Sequence, residues 1–254
     1  MKKLQRYSDK RKKAIDSILK QEANEYIPET FHALRVELKK IRFLIHLLEF
    51  SLKHLNKAAV SKPFDTLFEY AATVRNVHVE QLTLKKYARS RPFKPYLDKL
   101  SEKEQSAKIE FFSYVQNPDH LSMEDSFQKI QAGLLKVHKE DLKGYIKLEE
   151  KKAHKYTKGA LRYNKMHKLR KELKKLLYAG KILDKTVDKK ELNNKEKLSD
   201  LLGKWHDNQV IIGRLKKAAI KKESAKERIF IEKVILKLIL ESSKTVHQLQ
   251  SLRT

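Results

Sequence analysis

His32, Arg35, Lys39 and Arg42 are spaced by three and four residues, so a helix through them carries all four on one face, with Lys40 on its flank. At 1.5 Å per residue the row is about 15 Å long. Arginine brings a planar fork of donors and lysine a mobile point charge. Histidine brings a short, rigid donor that can also take a proton. A ladder of such groups suits a row of phosphate oxygens. Nearly the same text returns from residue 167 as HKLRKELKKLL, where His, Leu, Arg, Glu, Leu, Lys and Lys recur in register and Phe43 becomes Tyr178. The second ladder is His167, Arg170, Lys174 and Lys175. A solvated face needs cations, but it has no need of a leading histidine at matched positions.

The elements that must hold these ladders are helical. Leu34, Leu38, Ile41, Ile45 and Leu48 recur by three and four between the basic residues and predict an amphipathic helix with that row facing a core. Pro28, Pro63, Pro92, Pro95 and Pro118 all fall in the first half and read as helix boundaries. They and the Lys/Leu periodicity predict helical stretches at about 4–25, 29–56, 63–89, 95–116, 123–157, 160–185, 190–219 and 224–251. DKTVDKKELNNKEK is the most loop-like connection. No alternating run of period two appears, so the fold class is all-α. A second register pairs residues 68–88 with 199–219, setting Arg75-Asn76 against His206-Asp207. Each half therefore has a ladder helix, a connection, and a helix with a polar dipeptide in its middle. This order predicts two four-helix bundles related by pseudo-two-fold symmetry, 1–119 and 120–254.

A formal net charge of +26 over 254 residues gives a strong positive field that a polyanion would relieve. Nucleic acid, an anionic membrane surface and inorganic phosphate polymers all have the required charge. The absence of cysteine excludes a disulfide framework, a thiol nucleophile and thiolate metal sites. MKKLQRYSDKRKK lacks the apolar run of a secretory signal, and no stretch approaches the ~20 apolar residues of a membrane span. The expectation is a soluble, cytoplasmic protein. The histidine pairs His154/His167 and His46/His54 have no acidic partner at ligand spacing, so no metal site is expected. No Gly-rich phosphate loop, GxSxG or HExxH motif occurs, so the chain is not expected to be an enzyme or to carry a cofactor. Glu37 and Glu172 point away from the leading histidines and suit partnership with neighbouring lysines. Asp207 reads as a buried or half-buried group orienting basic side chains. Phe43, Tyr70, Tyr178 and Trp205 fall at core spacing and neither ladder face carries an exposed aromatic, so there is phosphate recognition with little sign of base recognition.

The pattern resembles the CHAD family, the conserved histidine α-helical domain. His32, Arg35, Val36, Lys39, Lys40 and Arg42 match its His-x-x-Arg-Val-x-x-basic-basic-x-Arg helix, and His167, Arg170, Lys174, Lys175 and Tyr178 match the second copy. Leu202-Gly203 with Asp207 matches the later motif, where Arg75 keeps its arginine in the first half. The resemblance covers essentially the whole chain. It implies two four-helix bundles around a basic groove or pore that binds inorganic polyphosphate, with association with polyphosphate granules. The alternative is a sequence-nonspecific nucleic-acid-binding protein. Leu177 stands where the second motif has arginine, and Lys181 restores a charge one turn later. Asn76 replaces an aspartate, and Ala72 a glycine. The residues expected to contact phosphate are His32, Arg35, Lys39, Lys40, Arg42, His167, Arg170, Lys174 and Lys175, with Arg75 and Lys181 behind them.

Overall fold

The computed structural model describes residues 2–87, 89–117, 123–159, 162–183, 189–220 and 224–251. Among them the regular structure is entirely helical, as expected: α1 Lys2–Leu19, α2 Pro28–Ser51, α3 Lys57–Leu84, α4 Lys94–Gln116, α5 Glu124–Leu135, α6 Lys139–Thr157, α7 Tyr163–Leu183, α8 Lys189–Ile220 and α9 Ala225–Ser251, with short 3-10 turns at Ala23–Glu25, Lys85–Tyr87 and Arg91–Phe93.

Several boundaries differ from the sequence expectation. α1 ends at Leu19 and α2 at Ser51, about a turn and a half short of the expected ends at 25 and 56. Three further differences lie in α3, between α5 and α6, and at the start of α8. Pro63 lies inside α3 instead of opening it, because the Asn56 carboxamide accepts the Ala59 N–H at 3.1 Å and starts the helix two turns earlier. The stretch expected as one helix over 123–157 is two, α5 and α6. The Lys136 N–H closes α5 onto the Gly133 carbonyl at 3.0 Å, and the His138 N–H donates to the Asp141 carboxylate at 2.8 Å to begin α6. Of the expected loop DKTVDKKELNNKEK, residues from Lys189 onward are already helical, while 184–188 lie outside the described residues. The expected break at 118–119 also lies outside them. α6 closes at Thr157, and Gly159 two residues on takes φ 69°, the left-handed region open to glycine.

By contact the chain divides into two compact units, Met1–His78 with Glu102–Leu148, and Val79–Ser101 with Glu149–Thr254. In the first, α2 packs on α1 and α5, and its row Leu34, Leu38, Ile41, Ile45 and Leu48 is fully buried. Tyr26, Phe31 and Phe111 pack ring against ring at the entry to α2, with Phe31 and Phe111 centroids 5.0 Å apart. Gly133 lets α5 approach α2 closely: a Cβ there would meet the Leu48 methyls at 3.0 and 3.2 Å. In the second unit α7 packs on α8 and α8 on α9, burying Leu169, Leu173, Leu177, Trp205, Leu215 and Leu238. Buried Glu80 accepts hydrogen bonds from Arg214 at 2.6 Å and from the Tyr96 hydroxyl, which satisfies a carboxylate that would otherwise be costly. Phe43 and Trp205 are core residues as expected, whereas Tyr70 and Tyr178 are half-buried.

Candidate functional site

Burying the leucine row of α2 turns its basic residues outward and sideways along the helix. Pro28 at its first turn and the buried Phe31 fix where the helix starts. His32 is exposed, and Arg35, Lys39, Lys40 and Arg42 are half-buried. Three of the cations converge on one aromatic ring, Phe68 of α3. The Arg42 guanidinium lies 3.8 Å from its centroid, Arg35 4.9 Å and Lys39 5.8 Å. Arg35 also donates to the Asn76 carboxamide oxygen at 3.2 Å, and Arg42 Nε bonds the Asp65 carboxylate. The face of α3 that supports the ladder is therefore Asp65, Phe68 and Asn76, at helical spacing. Lys40 turns aside to Glu37 at 2.7 Å, and Arg11 of α1 reaches the same carboxylate at 3.1 Å.

On α7 the same residue types meet different neighbours. Lys175 lies 2.8 Å from Glu172 and 3.0 Å from Glu149 of α6, and Lys152 lies 2.7 Å from Glu149. Both acids are buried. Burial alone would raise the Glu149 carboxyl, but hydrogen bonds with Glu172, Lys152 and Lys175 hold it well below the usual carboxylate range. Burial and the adjoining Glu149 push Glu172 upward, so Glu172 is the member of the pair that takes a proton first. Burial works against the Lys175 charge, and the two carboxylates outweigh it and raise the ammonium. Lys174 is 3.5 Å from Asp200, and exposed Lys181 is 3.7 Å from Glu196. Arg170 passes over Gly203, whose Cβ position is 3.9 Å from its Nε. The His167 ring lies 5.0 Å from that of His206 on α8. Burial, then Lys171 and Arg170, push the His167 imidazolium below its ordinary value, so it is neutral near pH 7.

The expected partnership of Glu37 and Glu172 with neighbouring lysines is present as Glu37–Lys40 and Glu172–Lys175. Asp207 is half-buried, as is Arg75, one residue before the Asn76 that holds Arg35. The first unit brings Arg35, Lys39 and Arg42 together, and the second brings His167 to His206. Sequence reasoning passed over Phe68, Asp65, Glu149 and Asp200. The spacing of Asp65, Phe68, Ala72 and Asn76 along α3 was available as a signal for the first two. Among the described residues no group of three or more His, Asp or Glu could hold a metal ion, and no helix is long and apolar enough to cross a membrane.

The sequence profile of the CHAD domain matches residues 11–216. The all-helical fold agrees with solved structures. The crystal structure of the CHAD domain from the plant Ricinus communis superposes with a TM-score of 0.75 at 14% identity, covering 97% of this chain and 86% of that one. PptA from Streptomyces chartreusis superposes with a TM-score of 0.69 at 12% identity, covering 99% of this chain and 95% of that one. The comparison with curated proteins gives no match. This helical, strongly basic chain with duplicated His/Arg/Lys helices belongs to the CHAD family.

Proposed function

We propose that the chain binds inorganic polyphosphate, without acting on it chemically, through the cationic faces of α2 and α7. The observation that carries this reading is the gathering of Arg35, Lys39 and Arg42 on one face over Phe68, with Asp65 bound through Arg42 Nε. Like charges held this closely repel one another, and a chain of phosphates relieves that repulsion at each donor. Arg170 and Lys174 play the same part on α7, with His32 and His167 leading the two rows, and Arg75 and Lys181 adding charge beside them. Lys40 and Lys175 lend field while bonded to Glu37 and Glu172. Release of condensed counterions from the polymer supplies much of the driving force, so affinity falls steeply with salt. Nothing in this mode reads a base. The Phe68 face is covered by Arg42 and offers no stacking platform.

Competition decides between this reading and nonspecific nucleic-acid binding. Long-chain polyphosphate should displace single-stranded RNA at matched phosphate concentration, and RNA should displace polyphosphate poorly. Equal displacement both ways overturns the proposal. Orthophosphate released from polyphosphate in the presence of magnesium would instead mark a hydrolase. Association with polyphosphate granules in the cytoplasm belongs to the same reading. A fluorescent fusion that stays diffuse in granule-rich cells counts against it.

A further inference from the structure

We infer that Phe68 is a positioning residue for polyanion binding. Its ring fixes the α2 cations in a ligand-ready arrangement without neutralising them. The inference rests on the polyphosphate reading and adds a residue that lies outside both basic helices. Three cations of one ladder lie within 3.8 to 5.8 Å of the same ring centroid. An aromatic face attracts a cation through its quadrupole yet has no net charge. It can hold a guanidinium or ammonium in place and leave its full charge for a phosphate oxygen. A carboxylate in that place would hold the cation equally well, but a ligand would have to displace it.

The geometry at Arg42 shows the division of labour. Asp65 takes Nε, Phe68 takes the face at 3.8 Å, and among the described residues the two Nη groups remain as donors for a ligand. Arg35 is likewise held on two sides, by the ring at 4.9 Å and by the neutral Asn76 carboxamide at 3.2 Å. Arg and Lys side chains are among the most flexible, so cations already held on a ring lose less freedom when phosphate arrives. The repeat pairs Phe68 with Ser199, which is buried and has no ring to offer, and there Lys174 lies near Asp200 instead.

The test replaces Phe68 in the full chain by phenylalanines carrying one, two and three fluorines, which withdraw density from the ring face with little change of shape. Binding of long-chain polyphosphate is measured at fixed salt, alongside the Phe68→Leu and Phe68→Tyr variants. Affinity should fall stepwise with each fluorine and by about tenfold in Phe68→Leu, while Phe68→Tyr retains it. In an Arg42→Ala background the Phe68→Leu loss should shrink, because the closest cation is gone. If Phe68→Leu does not fold, the fluorinated series, which keeps the packing, gives the answer. Wild type that binds polyphosphate with an affinity unmoved by fluorination overturns the role of Phe68 alone. Wild type that fails to retain polyphosphate removes the functional reading, and this inference with it.

Discussion

The two basic helices share seven identities in register, yet the helices packed against them treat the shared charges differently. On α2, Glu37 sits between two cations, Arg11 and Lys40, while Arg42 bonds Asp65 through Nε alone and gathers with Arg35 and Lys39 on a ring. On α7, Glu172 sits beside a second acid, Glu149, and Lys175 is held between them. Lys174 and Lys181 each have a carboxylate nearby as well. Counting Lys and Arg along a helix therefore overstates the charge one ladder offers relative to the other. What remains for a ligand is set by which uncharged or acidic side chains the neighbouring helices supply.

The largest expected difference is in affinity. Replacing Arg35, Lys39 and Arg42 together by alanine should weaken polyphosphate binding by about 1,000-fold or more, against about 100-fold for Arg170 and Lys174 together, taking each charge-assisted bond at roughly 1.5 kcal/mol. Equal losses, read by titration calorimetry at one salt concentration, would break the comparison. Next is stability. Glu37→Gln leaves two cations without their carboxylate and should cost about 1–3 kcal/mol. Glu172→Gln removes one of the two carboxylates at Lys175 and leaves Glu149 to hold the ammonium, so its cost should be smaller, about 0.5 kcal/mol. Urea unfolding of both variants at pH 7 measures this, and the opposite order contradicts the acid-pair assignment.

A smaller effect follows from His167. Its folded-state value is depressed, so below its unfolded value the unfolded chain binds more protons, and this residue lowers stability as pH falls. A bound phosphate reverses the sign locally by favouring the imidazolium. Polyphosphate affinity should therefore rise several-fold as pH drops from about 8 to 5.5, across the ordinary histidine value of about 6.5. His167→Gln should flatten that rise, and an unchanged pH profile in that variant removes His167 from the binding step. The smallest effect is at Asp200, an exposed partner of Lys174. Asp200→Asn should tighten binding only about twofold at low salt and not at all at high salt, as weak surface pairs do. A large gain there would mean that the second ladder is held back chiefly by that acid.

Much of the fold was legible because α2 keeps strict three-and-four spacing, and every member of its leucine and isoleucine row is buried. The Glu37–Lys40 and Glu172–Lys175 pairs were legible for the same local reason, being three residues apart. Pro63 misled because a proline near a helix start looks like the start, while the cap was the asparagine seven residues before it. The gap between α5 and α6 was illegible because Lys136-Val137-His138 contains no proline or glycine to mark it. The partners of the ladders come from other helices: Phe68 and Asp65 from α3, Glu149 from α6, Asp200 from α8. Periodicity along one helix says which residues face inward, and nothing about what another helix places opposite them.

Gly133 is far in character from any of these charged groups, being a hydrogen atom pressed toward two leucine methyls behind α2. An alanine there would act as a wedge on the rear of the ladder helix and shift its front by tenths of an ångström. Loss of grip on a polymer could thus arise in this protein by an uncharged substitution on the dry side, invisible to any survey that inspects only its lysines and arginines.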